Sequence, residues 1–114
     1  MSWKTNLQFG KEIILSTSSK VGKPNAGIVI SRGIVDEKLL VADCQMDTTL
    51  KNLKENNLIC VIAGYYRIKG KARILRSGKY FDICVKKEKD YKVKNAILID
   101  IKEVFDLDKL KVIK

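Results

Sequence analysis

The stretch Leu39-Leu40-Val41-Ala42-Asp43-Cys44-Gln45-Met46-Asp47-Thr48-Thr49-Leu50-Lys51-Asn52-Leu53-Lys54-Glu55-Asn56 changes character halfway along. Leu39, Leu40 and Val41 are a short apolar run and read as a strand, and Asp43 to Asp47 reads as a loop. Asp47 or Thr48 then suits a helix cap, with Leu50 and Leu53 at helical spacing behind it. Asn56 and Asn57 fit the helix end, because Asn tolerates left-handed backbone. A strand that passes through a short loop into a helix start leaves unpaired N–H groups and a partial positive charge there. Phosphate binds such places. The hydroxyls of Thr48 and Thr49 add donors at that point. Ordinary capping accounts for the same residues without a ligand.

Upstream, Glu12 to Ser18 reads as a strand, and Lys20 to Pro24 as a turn that holds the only proline. Ala26 to Ser31 returns as a second strand, and Asp36-Glu37-Lys38 turns into the third. Downstream, Leu58 to Ala63 is an unbroken apolar run, the pattern of a strand buried on both faces or central in a barrel. Arg67, Lys69, Lys71 and Arg73 then alternate with Ile68, Gly70, Ala72 and Ile74, which predicts a strand with one basic and one apolar face. Ser77 and Gly78 break it. Lys79 to Lys89 places Phe81, Cys84 and Val85 on one helical face, and Asn95 to Phe105 reads as the last strand. Short connections between strands argue antiparallel pairing, and many strands in a small chain favour closure. The expected fold is mainly β (α+β): a six-stranded antiparallel split β-barrel with two short helices, one domain over residues 1–114. Lys109 to Lys114 is too short to assign.

Composition narrows the chemistry. With 114 residues the chain suits one core. It has no histidine, which excludes histidine triads, histidine proton shuttles and histidine-ligated zinc. Its cysteines, Cys44, Cys60 and Cys84, are odd in number and widely spaced, so neither a disulfide framework nor a metal site is expected. Free thiols and the lack of a long apolar run make a cytoplasmic protein without a membrane segment the expectation. The net charge is +10, concentrated in residues 67–100. Nineteen of the 23 basic residues are Lys, whereas Arg is the usual bidentate reader of phosphate. The basic strand is either an anion site or the solvated face of a barrel strand.

Three segments together resemble a known family. They are Thr17-Ser18-Ser19-Lys20-Val21-Gly22-Lys23-Pro24-Asn25, Leu39 to Asp43, and Met46 to Asn56, followed by Ile68-Lys69-Gly70-Lys71-Ala72. Their order and spacing resemble the pyridoxamine 5′-phosphate oxidase-like family of flavin-binding split barrels, over roughly residues 12 to 105. The resemblance implies a homodimer with two FMN molecules at the subunit interface. It places Asn25, Ala26, Gly27 and Ile28 along the isoalloxazine ring, and Asp43, Cys44 and Gln45 by the ribityl chain. Thr48 and Thr49 fall at the phosphate, where relatives also use a basic residue late in the second strand, here Arg32.

The chain departs from that pattern where many relatives carry Lys or Arg at the helix start, because Thr48 and Thr49 stand there. A basic residue is also common at the position of Gly27. Charge-assisted hydrogen bonds are about twice as strong as neutral ones, so fewer cations weaken a dianion site. A deazaflavin or a haem is the alternative ligand within split barrels. True pyridoxamine phosphate oxidases extend further with basic residues for the substrate, so that activity is not expected of a chain ending at Lys114. The expected function is a flavin-dependent oxidoreductase of unread substrate, or a flavin carrier, with no catalytic acid or base assigned. The rival reading is a cofactor-free basic barrel that binds nucleic acid or an acidic partner. That reading calls for aromatics interleaved with the basic face, and only Tyr65 and Tyr66 adjoin it. Cys44, before the helix start, is a redox candidate or a small loop residue. Trp3 either packs or folds over a partner or flavin.

Overall fold

A computed structural model describes residues 3–114. The strands are β1 (Glu12–Ser18), β2 (Pro24–Val35), β3 (Lys38–Asp43), β4 (Leu58–Ala63), β5 (Tyr66–Leu75), β6 (Asn95–Asp106) and β7 (Lys111–Val112). Helix α1 (Thr48–Glu55) follows β3, and α2 (Lys79–Lys87) follows β5. The sheet runs β3-β2-β1-β4-β5-β6, antiparallel throughout, and β3 pairs with β6 to close a six-stranded barrel. The two-residue β7 hangs on the far end of β6. The expected six strands and two helices are all present; the second strand is longer than its apolar run, because a bulge between Ser31 and Ile34 carries it on to Val35.

Alternation explains the interior. Ile13, Leu15, Leu39, Val41, Ile59, Val61, Ile68, Ile97 and Ile99 point inward and are buried. For Leu58 to Ala63 the barrel reading holds, as β4 lies between β1 and β5, and burial on both faces is corrected: Ile59, Val61 and Ala63 are buried, but Leu58 is exposed and Cys60 and Ile62 are only partly covered. The strands buried on both faces are β3 and β6. Their outward residues Leu40, Ala96 and Leu98 lie under α2, packed with Cys84 and Val93. Of the face expected on α2, Cys84 is buried and Phe81 partly buried, while Val85 is exposed, because a single helix resting on two strands covers only a narrow stripe.

An N-terminal 3-10 turn, Trp3–Leu7, plugs one end of the barrel with Leu7, and Trp3 packs on the same core. Ser31 ties it down: its hydroxyl donates to the Leu7 carbonyl at 2.6 Å and accepts from the Gly33 N–H at 3.0 Å. At Gly70 the chain approaches β6 too closely for a side chain. A Cβ there would lie 2.3 Å from the Asp100 carbonyl oxygen, beside the register shift between Lys69 and Gly70. Gly70→Ala is therefore expected to lower stability by about 2–3 kcal/mol, read as a lower urea midpoint with the slope unchanged.

Burial raises the Cys84 thiol from 9.0 to about 11. Below pH 9 the folded and unfolded states both keep the proton, and the contribution to stability is complete. As pH rises from 9 towards 11 the unfolded thiol ionises first, so the native state loses about 1.4 kcal/mol per unit. In Cys84→Ala that loss is absent. The stability gap between wild type and variant should narrow across this window in denaturant titrations; a constant gap would refute the assignment.

Candidate functional site

The outside of the barrel divides into a covered half and an open half. Helix α2 covers β3 and β6. The outward residues of β2, β1, β4 and β5 lie in register: Ile28, Ile14, Ile62 and Arg67 form one row, and Ala26, Ser16, Cys60 and Lys69 the next. Ile28 is 69% exposed and Leu58 56%, and Ile14 is also exposed. Apolar surface is thus contiguous over three strands, and the basic strand borders it. The cations of β5 do lie outward, with Ile68, Gly70 and Ala72 buried behind them. The Arg67 guanidinium stacks over Phe105 at 4.6 Å, and Arg73 lies 3.9 Å from Asp100. Lys69, Ser16 and Cys60 share a cleft of about 420 Å³ with Leu58 and Gly70.

Helix α1 crosses the lower end of the barrel. Side-chain bonds hold it: Asn25 donates to the Thr49 hydroxyl and Asn52 to the Thr17 hydroxyl, each at 3.1 Å, and Glu55 accepts the Lys20 N–H at 3.3 Å. Asp47 occupies the cap position but makes no capping bond; its carboxylate lies 3.5 Å from Lys51 instead. Lys51 N–H is the first to find a carbonyl, that of Asp47. The N–H groups of Thr48, Thr49 and Leu50 have no partner among the described residues. Such an open helix start accepts an anion. Thr48 is exposed there, and Gln45 is exposed in the preceding loop.

The candidate residues fall into separate groups. Asn25 and Thr49 touch each other at the helix start. Ala26, Gly27 and Ile28 are exposed along β2. Asp43 turns inward and is fully buried. Its carboxylate accepts the Met46 N–H at 2.9 Å and the Asn95 side-chain amide at 2.6 Å, so it shapes the loop before α1.

Arg32 stands apart from the helix start. It lies seven residues along β2 from Asn25, which at about 3.3 Å per residue is about 23 Å. Its guanidinium pairs with Glu88, and both side chains are largely buried. The Asp90 N–H, and then Arg32, hold the Glu88 carboxyl below the ordinary glutamate value against the cost of burial. Cys44 shares a cleft with Arg32. Burial and the nearby Glu88 charge push its thiol up, which disfavours the reactive thiolate. Ser31, Asn52 and Asn95 escape sequence reasoning. Each is a buried polar residue in an otherwise ordinary segment, and only the tertiary partner reveals its task.

The structure is a closed six-stranded antiparallel barrel with an uncapped helix start beside an open strand face. The profile of the family described as pyridoxamine 5′-phosphate oxidase matches residues 10–108, and the chain belongs to that family. An uncharacterized protein of Methanocaldococcus jannaschii is 31% identical over 107 residues, covering 83% of this chain and 72% of its own. HupZ of Group A Streptococcus superposes with a TM-score of 0.82 at 19% identity, covering 98% of this chain and 96% of that one. An FMN-binding protein of Syntrophomonas wolfei subsp. wolfei gives 0.74 at 18% identity, over 91% and 80%. At these identities the two structures establish the shared fold.

Replacing Asp43 with Ala leaves the Met46 N–H and the Asn95 amide without their acceptor. A loss of about 3 kcal/mol is expected, against a smaller one for Asp43→Asn, which keeps one oxygen. Equal stability of Asp43→Ala and wild type in urea would show that the buried carboxylate holds nothing.

Proposed function

We propose that this chain binds FMN at the start of α1 and along the outer face of β2, as a homodimer. The observation that carries the reading is the open helix start, where the N–H groups of Thr48, Thr49 and Leu50 have no partner among the described residues. Family membership makes a flavin phosphate the natural anion for it. The Thr48 hydroxyl adds a donor, and Asn25 fixes the Thr49 hydroxyl beside it. Ala26, Gly27 and Ile28 offer a flat flank for the ring, with open space beside Gly27. The loop residues Cys44 and Gln45 flank the ribityl chain, and Asp43 positions that loop from within. Arg32 lies further along β2 and pairs with Glu88, so the phosphate reading rests on the helix start rather than on it. Bound flavin supplies hydride or electron transfer, and the chain acts as an oxidoreductase or a flavin carrier.

The open face supports the reading of a second copy. Exposed Ile14, Ile28 and Leu58 are contiguous with partly covered Ile62, a surface that a symmetric partner buries on both subunits. With Thr at positions 48 and 49 and Lys51 facing the Asp47 carboxylate, affinity rests mainly on backbone donors and hydroxyls, and is expected to be modest.

FMN fluorescence quenching tests this. Thr48→Glu adds a negative charge at the first helical position, where it favours the helix and repels phosphate. The variant should keep the wild-type melting temperature and lose FMN binding by about tenfold or more; undiminished binding would remove phosphate from the helix start. Ile28→Lys should halve the mass measured by light scattering, and a dimer that survives it would move the interface elsewhere.

A further inference from the structure

A row of cations runs along the barrel wall on β5 and β6. Lys69, Lys71 and Arg73 point outward from β5 and are exposed, with Gly70 and Ala72 buried behind them. Successive members stand about 6.8 Å apart, the two-residue repeat of a strand. The ladder to β6 slips between Lys69 and Gly70, which pair with Glu103 and Ile101 and leave Lys102 over. That extra residue is exposed as well and adds its charge to the row. We propose that this row is a docking face for an acidic protein partner, one that presents several carboxylates at strand or helix spacing. The face goes beyond the cofactor reading and does not rest on it.

The charges are not neutralised within the chain. Lys69, Lys71 and Lys102 form no ion pair among the described residues. Arg73 is 54% exposed and lies 3.9 Å from Asp100, whose carboxylate also faces Lys38 at 3.7 Å. Glu103, opposite Lys69 in the ladder, is the other carboxylate beside the row. Four cations thus share two carboxylates, and Asp100 is already committed in part to Lys38. Like charges held at fixed spacing on one strand repel one another, a cost that a partner's carboxylates remove.

The setting of the row selects its partner. Strand β5 is paired on both sides, to β4 and to β6, so its backbone offers no edge for strand addition and side chains alone make the contact. A single nucleic acid strand needs rings on which its bases stack. None stands within the row: Phe105 lies under Arg67, and Tyr65 sits in the turn before β5. A second copy of the chain brings the same cations and is repelled across a two-fold axis. Carboxylates need only the cations, and lysines on a solvated face steer such a partner in and release it readily.

The probe is an end-blocked peptide of ten glutamates, compared with a thymidine oligonucleotide of ten phosphates, both titrated at low salt and followed by amide chemical shifts. The peptide should move the amides of residues 69–73 and 100–103, and its binding should fade as salt rises. Lys71→Glu with Lys102→Glu should weaken it by about tenfold or more. Lys11→Glu with Lys86→Glu makes the same change in net charge on exposed residues elsewhere, and should cost less than about twofold. Lys71→Gln with Lys102→Gln puts no new charge beside Asp100. It should weaken binding in the same direction while the melting temperature holds. Equal losses from the two charge-reversal pairs would reduce the effect to net charge and overturn the proposal. So would peptide shifts that miss β5 and β6, or tighter binding of the oligonucleotide on the same face. FMN quenching should stay at the wild-type value in the Lys71 and Lys102 variants; its loss would make the row part of the cofactor site and overturn a separate face. Failure of FMN to bind wild type, with peptide binding intact, would sink only the cofactor reading.

Discussion

The pairing of β3 with β6 is the contact on which the rest of the molecule depends. It joins the two ends of the sheet through six residue pairs, from Lys38 opposite Asp100 to Asp43 opposite Asn95. Without it both strands would expose edge groups to other chains. Its last pair is locked by side chains, because Asn95 donates to the buried Asp43 carboxylate. The same carboxylate holds the Met46 N–H, so barrel closure also sets the loop that delivers α1. The helix start is open at a defined place because a buried pair behind it is closed.

Closure alone does not decide which outer surface is dry. Helix α2 covers one side, which is why Leu39, Leu40 and Val41 are all buried although neighbouring residues point opposite ways. The opposite side keeps its isoleucines in the open, with cations of β5 along one border. The high net charge is therefore not diffuse. Part of it stacks on Phe105 or faces Asp100, part lines the cleft around Arg32, and at the helix start Lys51 faces the Asp47 carboxylate.

The barrel was largely readable from the order of periods. Alternation in Arg67 to Ile74 and the switch at Asp47 correctly assign a strand with a basic outer face and a helix. The unbroken run Leu58 to Ala63 misleads, because apolar residues on the outward face of a strand imply a cover without saying whether the same chain provides it. Candidate site residues were harder. Asp43 and Thr49 share one short segment with Thr48, but Asp43 turns into the core and Thr49 towards Asn25, and no local pattern separates these fates. Arg32 shows the limit most clearly. Its partner Glu88 is 56 positions away, and nothing near either residue announces the pair.

The anchors of α2 have a mechanical consequence. At its start Lys79 and the Tyr80 hydroxyl bind Asp36, at 2.6 and 2.9 Å, and just past its end Glu88 binds Arg32. Both partners, Asp36 as acceptor and Arg32 as donor, belong to the β2–β3 hairpin, whereas α2 follows β5 in sequence. The helix is thus clamped across that hairpin at two points, like a splint. Local opening that frees α2 must break contacts with chain folded much earlier in sequence, so its amides belong to the hairpin's cooperative unit rather than to that of its neighbour β5.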